Sequence, residues 1–235
     1  MRPAVIPVSA VAWRPSHRII PSRYPTLQLF ERVADPADLE AVFMVEALTN
    51  DRLREEIGEL SRVAPEDRIS GPGTGFIMSA FTRLNPDGSR FSDGSHGVYY
   101  CAADQATAIA ETVHHRQRFL AATTEPPCEL DMRVIQADLA ADLHDLRDLH
   151  VLGEPARALL DPDDYGPGQR LGRELRAANA WGIVYPSVRR PGGECAAVFR
   201  PRALSPARTG RHLCYVWDGA RIAAVYEKRR VRWAG

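Results

Sequence analysis

The segment from Ser89 to Leu120, SRFSDGSHGVYYCAADQATAIAETVHHRQRFL, constrains the fold more than any other. A Gly/Ser/Asp-rich turn carries Arg90, a short aromatic run (Val98, Tyr99, Tyr100, Cys101) predicts a strand, and an alanine-rich segment predicts a helix with Glu111 on its second turn. Side chains alternate along a strand, so Tyr99 and Tyr100 face opposite sides. One is expected in the core and the other in a cleft. An Arg, a Tyr and a Glu on three successive elements suit a site that grips an anionic, planar ligand.

Glu111 interrupts a row of small or apolar residues, Ala106, Ala108, Ile109, Ala110 and Val113. A carboxylate near an inward face is costly unless it is paired or at work, so a salt bridge to Arg90 or to a histidine competes with a catalytic role. Arg90, beside Gly94 and Gly97, can present its fork to a diphosphate; a surface arginine in a loop is the plainer reading. Ser187, in YPSVR at the end of a predicted strand, lacks the GxSxG elbow of a serine hydrolase. It either orients a ligand by hydrogen bond or is a polar turn residue. His115 follows Glu111 by four residues on the same helix face, but no second cluster completes a metal site and none is expected.

Residues 1–30 interleave proline with β-branched and aromatic residues, which predicts extended chain entering a sheet or lying along its edge. Asp35 and Pro36 open a predicted helix reaching about Thr49, and DRLREEIGEL predicts a second with Leu53, Ile57 and Leu60 on one stripe. Gly71, Gly73 and Gly75 lack the GK[ST] of a phosphate loop and read as a plain turn. Glu129–Leu139 alternates as a strand. Ala140–Gly168 reads as an Asp/Pro/Leu-rich stretch with one short helix around Pro155–Leu160 and a solvated turn at DPDD, which lacks calcium-loop spacing. Gln169–Ala180 predicts an amphipathic helix, IVYPSVRRPGGECAAVF two strands around a loop, and the tail a hairpin turning at Asp218 and Gly219.

Basic and acidic residues number 30 each, so no net field draws the chain to nucleic acid or anionic lipid. Together with the lack of paired metal-binding carboxylates, this argues against a nuclease. Hydrophobic residues at 45% and charged residues at 26% indicate a folded chain with a sizeable core, read as one domain over residues 1–235 because no linker interrupts it. The four cysteines show no CxxC pair and read as buried free thiols. No run approaches the roughly 20 apolar residues that span a bilayer, and no signal-peptide pattern is present. A cytoplasmic location is expected.

In the order Arg, Glu, Ser, these residues resemble the RES family, which is named for them and provides toxins of bacterial toxin–antitoxin pairs. RIIPSRYP resembles the family's opening Arg-containing segment, SRFSDGSHGVYYCAADQATAIAE its glycine-rich arginine motif with strand Tyr and helical Glu, and WGIVYPSVRRPGGECAAVF its serine block. The resemblance implies an α+β fold like that of the ADP-ribosyltransferases, a mixed β core with flanking helices, in which the helical segment from about 35 to 82 is an insertion. It implies NAD as substrate, with no resident cofactor, cleaved at the nicotinamide–ribose bond by an NAD glycohydrolase or phosphorylase, or used by an ADP-ribosyltransferase acting on a protein. By the same resemblance Arg90 anchors the NAD phosphates with Arg18 or Arg23, Tyr24 joins substrate binding, and Tyr100 stacks on nicotinamide or fixes its ribose. Glu111 then stabilises the cationic transition state and Ser187 orients the nicotinamide ribose. Implied partners are NAD, inorganic phosphate as one acceptor, and an antitoxin protein encoded nearby, with a homo-oligomer left open and neither membrane nor nucleic acid expected. A non-catalytic binding protein of the same fold is the alternative.

Overall fold

The computed structural model describes residues 6–24, 26–47, 59–148 and 153–231. Seven strands, β1 (Val8–Pro21), β2 (Tyr99–Ala102), β3 (Cys128–Asp145), β4 (Gly182–Pro186), β5 (Glu194–Val198), β6 (Arg208–Trp217) and β7 (Ile222–Lys228), form one sheet in the order β1-β2-β5-β4-β3-β6-β7. β1 also pairs antiparallel with β3, from Val8 opposite His144 to Pro21 opposite Met132. The strands β1, β2, β5, β4 and β3 therefore close a ring, and β6 and β7 extend from β3 as a hairpin. The N-terminal stretch thus enters the sheet between two neighbours.

Helices cover both faces: α1 (Gln28–Arg32), α2 (Leu39–Ala47), α3 (Gly75–Thr82), α4 (Gln105–Thr123), α5 (Glu154–Leu159) and α6 (Gly166–Ala177). Tyr99, Cys101, Val184, Ala196 and Val198 join one apolar cluster with Phe30, Leu39, Ile77 and Phe81. Ala102, Ile183, Tyr185, Cys195 and Ala197 join the other, with Phe91, Ala108 and Tyr215. β4 and β5 are buried on both faces, which is why their sequences run apolar without alternation. The result is a mixed α+β architecture. Tyr99 is fully buried and Tyr100 partly exposed, as the pleat requires.

Local chemistry sets the element ends. The Asp104 carboxylate accepts from the Thr107 backbone N–H at 2.9 Å and caps α4. Asp35 accepts from the Ala37 N–H at 2.9 Å, starting a 3-10 turn (Pro36–Asp38) that leads into α2. At the glycine turn, Glu31 accepts from the N–H groups of Gly73 at 2.6 Å and Gly75 at 2.9 Å. A carboxylate of the chain itself fills the place a phosphate would take, so the plain-turn reading stands.

Two expected boundaries move. β3 continues through Ala140 to Asp145, because β1 supplies partners for those residues, with Ala12 opposite Ala140 and Val8 opposite His144, and Leu143 is fully buried. α6 begins at Gly166 rather than Gln169, since Pro167 fits a first helical turn. The helix expected over DRLREEIGEL falls mainly outside the described residues; its described end is a 3-10 turn, Leu60–Arg62. Among the described residues no helix is long and apolar enough to cross a membrane.

Candidate functional site

Arg90 sits at the tip of a tight turn closed by the Ser89 N–H donating to the Ser92 carbonyl at 2.6 Å. Tyr100 holds this turn from β2. Its hydroxyl accepts from the Phe91 N–H at 2.9 Å and pairs with Ser89 Oγ at 2.8 Å. Burial pushes the Tyr100 phenol up to about 12, so it stays protonated at neutral pH. From the other side α6 comes so close that a Cβ at Gly168 would collide with the Arg90 carbonyl oxygen, and one at Gly172 with that of Phe91. Only glycine permits this approach.

The Arg90 side chain is fixed in turn. Its Nη1 donates to the Asp161 carbonyl at 2.7 Å, and its guanidinium lies 4.6 Å from the Tyr165 ring centroid. Asp161 is itself ordered by accepting from the N–H groups of Asp163 and Asp164, each at 2.8 Å. At 8% exposure, Arg90 is no surface loop residue.

Glu111 and Ser187 meet across the fold. Ser187 Oγ donates to Glu111 Oε1 at 2.6 Å, a charge-assisted bond, and accepts from the N–H groups of Arg189 at 3.2 Å and Arg190 at 3.0 Å. Its proton is committed to the carboxylate, so Ser187 orients Glu111 and is not poised as a nucleophile. Arg190 Nη1 donates to Asp104 at 3.2 Å and to Thr107 Oγ1 at 2.9 Å, tying the loop after β4 to the start of α4. Neither salt bridge expected for Glu111 forms among the described residues. The Cys195 thiol lies 3.8 Å from the same Glu111 oxygen, and burial, reinforced by that carboxylate, raises it well above the ordinary thiol range.

Tyr185 links the two halves. Its ring meets Phe91 edge-on at 5.1 Å between centroids, and its phenol is pushed far up by burial, with Cys195, Tyr100 and Glu111 adding and Arg90 opposing. Sequence reasoning missed it, although it lies on β4 only two residues before Ser187. Arg90, Tyr100 and Glu111 thus all act on one buried phenol.

A cavity of about 460 Å³ opens beside Tyr100, and Arg18, Tyr24, Phe76, Ser89 and Arg116 line it with Tyr100. Arg90, Glu111 and Ser187 lie outside its lining. Arg18 Nη1 donates to the Tyr100 carbonyl at 3.0 Å, and its guanidinium lies 4.8 Å from the Tyr99 ring centroid. Arg23 is exposed and engages Tyr24, donating to its hydroxyl at 3.1 Å. Of the two N-terminal arginines, the geometry sets Arg18 at the cavity.

A solved structure, the MbcT–MbcA toxin–antitoxin complex of M. tuberculosis, aligns with a TM-score of 0.41 at 14% identity, covering 57% of this chain and 74% of that one. The uncharacterized protein y4oC of Sinorhizobium fredii is 34% identical over 212 residues, covering 89% of this chain and 86% of that protein. The RES domain matches residues 65–218, a span that holds Arg90, Glu111 and Ser187. With well over half of its length matched, the chain belongs to the RES-domain family.

Proposed function

We propose that this chain consumes NAD by breaking the bond between nicotinamide and ribose, as an NAD glycohydrolase or phosphorylase. One observation carries the reading: the 2.6 Å bond from Ser187 to Glu111, which fixes a carboxylate that acts, with Arg90, on the buried Tyr185 phenol. When the C1′–N bond breaks, its electron pair leaves with neutral nicotinamide and the ribose becomes oxocarbenium-like. A fixed negative charge stabilises that cation more effectively than a strong base would. With Oε1 held by Ser187, Glu111 Oε2 remains to accept from the ribose hydroxyls. An oxygen of water or of inorganic phosphate then attacks C1′, and the proton of water is released to solvent.

The remaining residues position the substrate. Arg90, held by Asp161 and Tyr165, lends positive charge near the diphosphate. Because the Tyr100 hydroxyl is engaged by the turn, that residue contributes its ring face. Depletion of NAD in the cytoplasm fits a toxin, and an antitoxin encoded nearby is its proposed partner.

The test is to incubate the purified chain with NAD, with and without phosphate, and to identify products by mass spectrometry. The expected products are nicotinamide with ADP-ribose, or with phosphorylated ADP-ribose when phosphate is present. Glu111→Gln should fold and lose about 100-fold or more of the rate. Intact NAD at high enzyme concentration, with no ADP-ribosylated protein, overturns the proposal; modified protein redirects it to ADP-ribosyl transfer.

A further inference from the structure

Tyr185 carries a polar group that the reaction above does not use. The residue is 6% exposed, yet its hydroxyl makes no hydrogen bond with any described residue. Other tyrosines of the same apolar cluster place theirs: Tyr100 bonds Ser89 and Phe91, and Tyr215 meets Thr112 at 2.7 Å. A buried donor left unpaired is costly, and phenylalanine would fill the same space without that cost. The Tyr99 hydroxyl is also unpaired, but it is sealed inside the opposite cluster, whereas that of Tyr185 is not closed off.

The surroundings of Tyr185 are those of the proposed site. It stands opposite Cys195 in the antiparallel β4–β5 register, so the two side chains rise next to each other from one face. The Cys195 thiol lies 3.8 Å from Glu111 Oε1. The Tyr185 ring meets that of Phe91, the residue after Arg90 in the turn, at 5.1 Å. Of the charged side chains, Glu111 and Arg90 act on the phenol, and burial keeps it protonated at neutral pH. It is therefore a free hydrogen-bond donor beside the carboxylate. A phosphate at that place would be repelled by Glu111, whereas a neutral sugar hydroxyl would not.

We infer that Tyr185 is a further substrate-binding residue, whose hydroxyl donates to an oxygen of the ribose that Glu111 contacts. The identity of that ribose rests on the function proposed above. A ribose hydroxyl that donates to Glu111 Oε2 keeps lone pairs free to accept from Tyr185, so one group of the ligand satisfies both side chains. Stability is given up at this position for a contact that the ligand completes.

The experiment compares ADP-ribose with ADP, which lacks that ribose, by calorimetry on the full chain, on Tyr185→Phe and on the control Tyr99→Phe, alongside melting temperatures. Tyr185→Phe should melt at or above the parent, because the hydroxyl it loses has no partner. It should bind ADP-ribose about three- to tenfold more weakly, and ADP as the parent does. Tyr99→Phe should bind both ligands as the parent does. With NAD as substrate, kcat/KM of Tyr185→Phe should fall by at least the same factor. Equal weakening of ADP and ADP-ribose assigns the hydroxyl to the diphosphate and overturns the ribose contact. Unchanged ADP-ribose binding, a melting temperature well below the parent's, or no binding of ADP-ribose by the parent overturns the proposal altogether. Weakened ADP-ribose binding by Tyr185→Phe, where the parent leaves NAD intact, overturns the enzymatic reading and keeps the contact.

Discussion

The proton of Ser187 does one thing, holding Glu111 Oε1 at 2.6 Å, and its loss separates orientation from charge. Ser187→Ala leaves the carboxylate in place but free to rotate, so kcat for nicotinamide release should fall about 10- to 100-fold with KM little changed. Ser187→Thr, which keeps the hydroxyl, should recover part of the rate. Steady-state kinetics checks both. Tyr100 is a positioning residue by contrast, and Tyr100→Phe strips the partner from the Phe91 N–H, a loss of about 1–3 kcal/mol when such a donor is left buried. Its phenol also titrates at about 12 in the folded chain against an ordinary value of 10. A raised acid contributes stability that is fully present below the unfolded value and lost as pH rises through the folded one, so the melting temperature should fall between about pH 10 and 12. Tyr215, bonded to Thr112 at 2.7 Å, adds to the same limb. Thermal scans of Tyr100→Phe should start lower and decline less over that range. Glu111 was legible in the sequence as a costly acid among small residues, and its partner Ser187 as a strand-end hydroxyl. That Tyr100 serves the Arg90 turn was not, because its bonds to Ser89 and Phe91 depend on how the intervening loop folds back.

Among elements, the sequence read truest where local preference and tertiary demand agree. Asp104 and the alanine-rich run give α4 both a cap and a helical interior, and β2 has its aromatic pair. β3 beyond Leu139 is different: AADLHD has weak strand preference, and only the β1 partners make it a strand. The start of α6 was obscured by its glycines, which read as loop yet serve as the contact surface on the Arg90 turn. Gly172→Ala therefore tests the element that holds the site. Its methyl meets the Phe91 carbonyl oxygen, so the helix or the turn must shift, with a destabilisation of about 1–3 kcal/mol and a loss of NAD cleavage beyond that expected from unfolding. Gly166→Ala, whose Cβ meets only side-chain atoms of Asp164 and Arg170, should leave both stability and rate near the parent values. Denaturant titration alongside kinetics tells the two apart.

At the scale of the molecule, the family match begins at residue 65, whereas the ring of strands is closed by β1, which precedes it. β1 pairs with β3 from Met132 to His144, and Ser16 Oγ donates to the buried Ala137 carbonyl at 2.7 Å. The apolar cluster on that face also draws on Leu29, Phe30 and Leu39, again from before the matched span. A fragment of residues 65–218 would expose one edge of β3, uncover this cluster and leave β6 without β7. Such a fragment should be insoluble or lack a cooperative transition, while the full chain should melt in a single step seen alike by far-UV and near-UV circular dichroism. A soluble fragment with the parent's near-UV spectrum, or two separated transitions in the full chain, would show that residues 1–64 form a dispensable unit.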